Sequence, residues 1–263
     1  MANLHVLSHY GAVQAMPTVR RIRTADLKRA LAEGLEDFWA MPTHVLFIGA
    51  IYPIVGLILG RVAMGYDALP LVFPLISGFA LLGPVAGVGL YELSRRRELG
   101  MDTRWRHALE VVHAPGFPGI LALGALLTLM FLAWIGISQG LYEWLFGPRG
   151  PVSVSAFLHD IVSTREGWTL AILGNLIGFT FAATAFAISV VSFPLMLDRG
   201  VGPAVAISTS LRACAANPGV MAVWAAFVAA MLVIGFVPLF FGLAVVIPVL
   251  AHASWRLYRR VVV

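Results

Sequence analysis

The side chains with chemical potential in this sequence are few, and most lie toward its far end. Asp198 and Arg199 close the segment that begins at Ser192. Further on, His252, Trp255 and Tyr258 recur every third residue within Pro248-x-x-x-His252-x-x-Trp255-x-x-Tyr258. A histidine in an apolar segment would serve as an axial ligand to haem, or sit as a neutral imidazole bonded to a neighbouring helix; the second is the plainer use. An Asp-Arg pair at the end of an apolar run would meet a phosphate headgroup or a partner protein, or form a local ion pair. Asn175 is the most polar residue well inside an apolar run. It would contact a ligand or, more commonly in lipid, make an interhelical hydrogen bond. Thr180, Thr184, Ser189 and Ser192 follow it at helical spacing and are expected to bond back to their own helix. His44 and His113 lie near expected membrane edges as partners for His252. His5 and His9 are four apart, as in a metal pair, but fit a disordered tail better.

Other chemistry has no foothold. The sequence carries no nucleophile elbow, zinc helix motif, phosphate loop or dinucleotide fingerprint. Gly83, Gly87 and Gly89 fall inside an apolar run and make no phosphate cradle. Cys214 is the only cysteine, so an internal disulfide and a thiolate metal cluster are both excluded. No Asp, Glu, Lys or Arg falls in the middle of an expected span, where a charge costs about 2.5–3.5 kcal/mol. Proton relays and coupling-ion sites usually need one. The expectation is therefore a protein with no catalytic site, cofactor or metal.

The elements that would position these residues are membrane helices. The chain has 263 residues, 60% of them hydrophobic and 12% charged. Soluble domains run near ~25% charged, so the bilayer must be the solvent. Residues 1–23 form a flexible tail and residues 24–263 a membrane domain. Spans are expected at about 44–64, 68–91, 117–141 and 168–197, the first acting as an uncleaved anchor. Between Pro218 and Arg256 there is no charged residue at all. That run is nearly twice the ~20 residues of one crossing, and Gly235-Phe236-Val237-Pro238 divides it into spans five and six. Small residues recur at packing distance: Gly56 and Gly60, Gly83 and Gly87, Gly174 and Gly178, Ala225 and Ala229.

Three short striped segments lie between the spans. Leu27, Leu31, Leu35 and Phe38 form one stripe; Trp105, Leu109 and Val112 another; Ile207, Leu211 and Cys214 a third. Charged, single-striped segments lie along an interface. Each is followed by a proline (Pro42, Pro115 or Pro218), an outgoing span and a returning span. Two returning spans align directly: Pro84 to Tyr91 then Arg95-Arg96, and Pro248 to Trp255 then Arg259-Arg260. The middle unit departs, with Pro194 followed by Asp198-Arg199. The fold class is thus all-α integral membrane, six transmembrane helices as three hairpin repeats, each preceded by a short amphipathic cytoplasmic helix. Charge favours six spans over five. Six spans place fifteen basic residues inside and three outside, whereas five give twelve and six. Both termini are then cytoplasmic, in a bacterial inner membrane.

Ser192-Phe-Pro-Leu-Met-Leu-Asp198-Arg199, Ser208-Thr-Ser-Leu-Arg212, Asn217-Pro218, Trp224 and the Pro248–Arg259 segment resemble a bacterial family of integral membrane proteins of unknown function. Some of its members are labelled cytochrome c oxidase subunit I-like. The resemblance covers residues 24–260, most clearly the last seventy, with Ala251 standing where glycine is expected. It implies a six-helix inner-membrane protein. A haem–copper oxidase core needs more spans and more intramembrane histidines than this chain has. An accessory, assembly or scaffold role beside a respiratory or other membrane complex is the leading expectation. The alternatives are a transporter or lipid-binding protein, with Asn175 and His252 near a central cavity, and a haem-binding membrane protein.

Overall fold

The computed structural model describes residues 16–41, 66–148, 150–151, 153–238 and 241–263. The expected first span, the His5–His9 pair, His44 and the Gly56–Gly60 pair lie outside the described residues. Helix α1 is Thr24–Ala40. A 3-10 turn at Tyr66–Leu71 leads into α2 (Val72–Phe79), α3 (Gly83–Ala86) and α4 (Val88–Glu98). A 3-10 helix at Trp105–His113 precedes α5 (Phe117–Phe146), α6 (Val154–Ser163) and α7 (Arg165–Ser189). Then come α8 (Ser192–Arg199), α9 (Pro203–Ala216), α10 (Pro218–Phe236) and α11 (Leu243–Val261).

Among the described residues, four stretches are long and apolar enough to cross a membrane: Leu69–Glu98, Phe117–Phe146, Arg165–Arg199 and Pro218–Phe236. Each coincides with an expected span. The last apolar run does break, because α10 ends at Phe236 and α11 turns back against it. Gly242 approaches so closely that a Cβ there would lie 2.8 Å from the Gly235 Cα, so the turn needs a glycine at that point. The expected sixth span is therefore a separate helix, but not one of the four apolar stretches. Its last turns carry Arg256, Arg259 and Arg260, and twelve of its nineteen residues are buried. It packs on α1, α4, α8 and α10.

The striped segments pack differently from expectation. In α1 the buried face is Leu27, Ala30, Gly34, Asp37 and Phe38, while Leu35 and Trp39 are exposed. Gly34 decides this: its Cα lies so close to α11 that a Cβ would sit 2.5 Å from the Ala253 nitrogen. Small residues let two backbones approach, and of the expected stripe Leu27 and Phe38 stay buried while Leu35 turns outward. In α9 the buried residues are likewise Ala206, Thr209, Ser210 and Ala213, with Leu211 exposed. The middle segment is 3-10 rather than α, and Trp105, Leu109 and Val112 are all exposed. Of the small-residue pairs, Gly87 packs against Tyr91 and Ala251 and Gly178 against Trp134, whereas Gly83 faces open space.

Residues 16–23, expected within a flexible tail, are paired. Val19 bridges Val262, the Arg20 N–H donates to the Val261 carbonyl at 2.8 Å, and the Val263 N–H donates to Thr18 at 3.0 Å. Asn217 fastens the same segment, accepting from the Ile22 N–H at 2.7 Å and donating to the Arg20 carbonyl at 3.1 Å.

Candidate functional site

The polar side chains of this helical assembly converge where α1, α4 and α11 meet. Asp37 is 1% exposed. One carboxylate oxygen accepts from Arg97 Nη1 at 2.5 Å and Arg256 Nη2 at 2.8 Å; the other accepts from Arg256 Nε at 2.9 Å and the Ser94 hydroxyl at 2.8 Å. The Arg256 contact is thus bidentate, the strong form of a guanidinium–carboxylate pair. Arg256 also reaches Glu98 at 2.8 Å, and Glu98 pairs with Arg259 at 3.3 Å. Beside this node Arg260 meets Glu33 at 2.6 Å.

His252 belongs to the same network. Its Nδ1 lies 2.7 Å from Ser94 Oγ. The serine hydrogen is spent on Asp37, so the imidazole must donate through Nδ1 and carry its lone pair on Nε2. Among the described residues that Nε2 is buried without a hydrogen-bond partner, as is the Trp255 Nε1–H one turn further on. Buried polar atoms are nearly always paired, so both stand out. The ring itself is fully buried, in keeping with the neutral histidine held by a neighbouring helix.

Asp198 and Arg199 do not mainly pair with each other, since their closest approach is 3.9 Å. Instead Asp198 accepts from the Tyr258 hydroxyl at 2.6 Å and from Arg259 at 3.2 Å, tying α8 to α11. Arg199 donates to the Val263 carbonyl at 3.2 Å. The Trp255 and Tyr258 rings meet at a tilt of 53° with centroids 5.5 Å apart. Asp198 and Arg199 at the end of α8 are therefore brought to Tyr258 and the end of α11, the helix that also carries His252 and Trp255.

Asn175 stands apart. It donates to Ala171 of its own helix at 2.8 Å rather than to a neighbouring helix, because the amide reaches its own i−4 carbonyl first. Thr180, Thr184 and Ser192 bond back in the same way, as expected. Asn175 lines a cleft of about 210 Å³ with Phe73, Ser77 and Trp134, and His252 is not among its walls. The two residues do not share a central cavity.

The residues that sequence reasoning passed over are Asp37, Ser94, Arg97, Glu98 and Arg256. The only local signal was the spacing of Ala30, Gly34 and Asp37, which puts a carboxylate on the small-residue face of α1.

A second polar cluster lies outside the four apolar stretches, between Asp102 and Glu110. His107 meets Glu110 at 2.6 Å and Asp102 at 3.1 Å, Arg104 meets Asp102 at 2.6 Å, and Glu110 meets Arg96 at 2.5 Å. Glu110 and then Asp102 raise the His107 pKa above its usual value. The Glu110 carboxyl is lowered in turn, chiefly by His107, and Asp102 more strongly, chiefly by Arg104.

Long apolar helices with charges confined to their ends define a multi-pass integral membrane protein. Residues 72–198, just under half of the chain, match the model of a family described as a predicted integral membrane protein (DUF2189). No curated protein and no solved structure matches the chain.

Proposed function

We propose that the chain is a non-catalytic scaffold of the bacterial inner membrane that holds another membrane protein, such as a respiratory-complex subunit. The observation that carries this reading is where the charge goes. Asp37, Glu98, Asp198 and Arg256 each bridge separate helices, and neither described cleft includes them. Such groups fix helices relative to one another rather than act on a substrate. In the affinity purification of the tagged chain from membranes in mild detergent, a stoichiometric membrane partner is expected. Recovery of the chain alone would count against the scaffold.

In this reading the fold is six crossings in three hairpin units with both termini in the cytoplasm. Support comes from a cycle of contacts. The 3-10 helix packs on α4, α9 packs on α8, and α1 packs on α11, so each striped segment rests on the returning helix of the unit before it. Helices α4, α8 and α11 touch pairwise at the centre. Gly87 and Ala251, each three residues after its unit's proline, meet there. The bond between Thr18 and Val263 supports a topology with these residues on one side of the membrane. An even number of crossings follows, which favours six over five.

Two alternatives each have one observation in their favour. The apolar cleft beside Trp105 suits a lipid or solute carrier, tested by flux in liposomes. The lone pair on His252 Nε2 suits a haem ligand, tested by the presence or absence of a Soret band.

A further inference from the structure

A 3-10 helix repeats every three residues, so the side chains of Trp105–His113 fall in three rows. His107 and Glu110 form the polar row, and are taken up by Asp102 and Arg96. Trp105, Ala108 and Val111 form the second row. Arg106, Leu109 and Val112 form the third. The apolar members of the last two rows border a cleft of about 330 Å³ between this helix, α4 and the start of α5, with Arg106 outside its lining. Val88 and Ile120 are buried at its floor, while Trp105, Leu109 and Leu121 are 49%, 61% and 57% exposed at its mouth.

The lining of the cleft restricts the chemistry of anything it could hold. Its walls are apolar side chains, so a solute bearing hydrogen-bonding groups would leave them unpaired. It is also too small for a partner helix, one turn of which, ~10 Å across, fills roughly 400 Å³. A methylene chain meets both conditions. Arg106 heads the third row and is exposed. Unlike Arg96 and Arg104, it makes no ion pair among the described residues. A free guanidinium at the end of an apolar row is the arrangement that receives a phosphate. We propose that this cleft holds an acyl chain of an anionic bilayer phospholipid whose phosphate is met by Arg106. The site stands independently of the scaffold reading.

The test uses the full chain, purified in mild detergent and washed free of native lipid. It is titrated with phosphatidylglycerol or phosphatidylcholine carrying brominated chains, which quench nearby tryptophan. The share of Trp105 is obtained by difference from Trp105→Phe. Quenching of Trp105 is expected, with half-saturation about fivefold lower for phosphatidylglycerol, the effect of one basic residue at an anionic lipid surface. Arg106→Gln, an exposed change, should abolish that preference and keep the quenching. Leu109→Glu should lose quenching with both lipids. The proposal is overturned if Trp105 is not quenched, if wild type shows no preference, or if Arg106→Gln retains it.

Discussion

Asp37 and Arg256, 219 residues apart in the chain, are joined by a bidentate pair with contacts of 2.8 and 2.9 Å. Removing one partner of a buried pair costs about 3–5 kcal/mol, because the other charge is left uncompensated. Arg256 and Arg97 keep 16% and 37% of their side-chain exposure, which points to the lower end, about 3 kcal/mol. Asp37→Asn should therefore sharply lower the thermal midpoint in detergent. Glu36→Gln, on the exposed face of the same helix, should change stability by less than about 0.5 kcal/mol. Equal effects of the two changes would show that the node does not hold the helices.

Gly34→Ala sets two effects against each other. Alanine gains about 1 kcal/mol over glycine in a helix interior. Here its Cβ would lie 2.5 Å from the Ala253 nitrogen and 2.6 Å from its Cα, so a backbone must move. Overpacking of this kind costs about 1–3 kcal/mol. Net destabilisation is expected, and larger for Gly34→Val. A stabilised Gly34→Ala protein, measured by the same melt, would refute the close contact of α1 with α11.

The cluster at His107 gives a pH signature. His107 titrates above its reference value of 6.5, so its contribution is complete below 6.5 and lost as pH rises through the folded value. Glu110 titrates below its reference value of 4.5, so its contribution is present above 4.5 and lost as pH falls through the folded value. Asp102 behaves as Glu110 does, but gives way at lower pH still. Hydrogen exchange of residues 102–113, corrected for intrinsic rates, should show most protection between these limits. His107→Gln should flatten the upper edge and weaken the Glu110 part of the lower one, leaving the part that Arg104 gives Asp102.

Residues 18 and 263 should label from one side. In a Cys214→Ala background, single cysteines at Thr18 and Val263 are expected to react with an impermeant maleimide in the same vesicle orientation. Labelling from opposite sides would remove the parity argument for six crossings.

Much of the helix layout is legible in the sequence because it follows from unbroken apolar length and from glycine and proline. The break at Gly235–Pro238 is one case, and the start of α10 at Pro218 another. The face each amphipathic helix buries is not legible in the same way. Leu27, Leu31, Leu35 and Phe38 mark the obvious stripe of α1, yet only its two ends, Leu27 and Phe38, are buried, and Leu35 is exposed. Backbone approach at Gly34 chooses the face and carries Asp37 inside with it. The partners of Asp37 come from positions 94, 97 and 256, and no local pattern joins them. His252 was conspicuous as a histidine in an apolar run, but its tautomer depends on Ser94 and Asp37. Asn175 was equally conspicuous and turned out to satisfy itself.

The pairing of Val19 with Val262 bears on how the molecule is made. Synthesis runs from Asp37 toward Arg256, so the carboxylate enters the nascent protein long before its bidentate guanidinium exists. Until then Asp37 must stay hydrated at the membrane surface, with Arg97 as its provisional counter-ion. The insertion machinery thus handles a partly assembled bundle whose keystone arrives last. A ribosome stalled before α11 would leave a species for quality-control proteases to recognise.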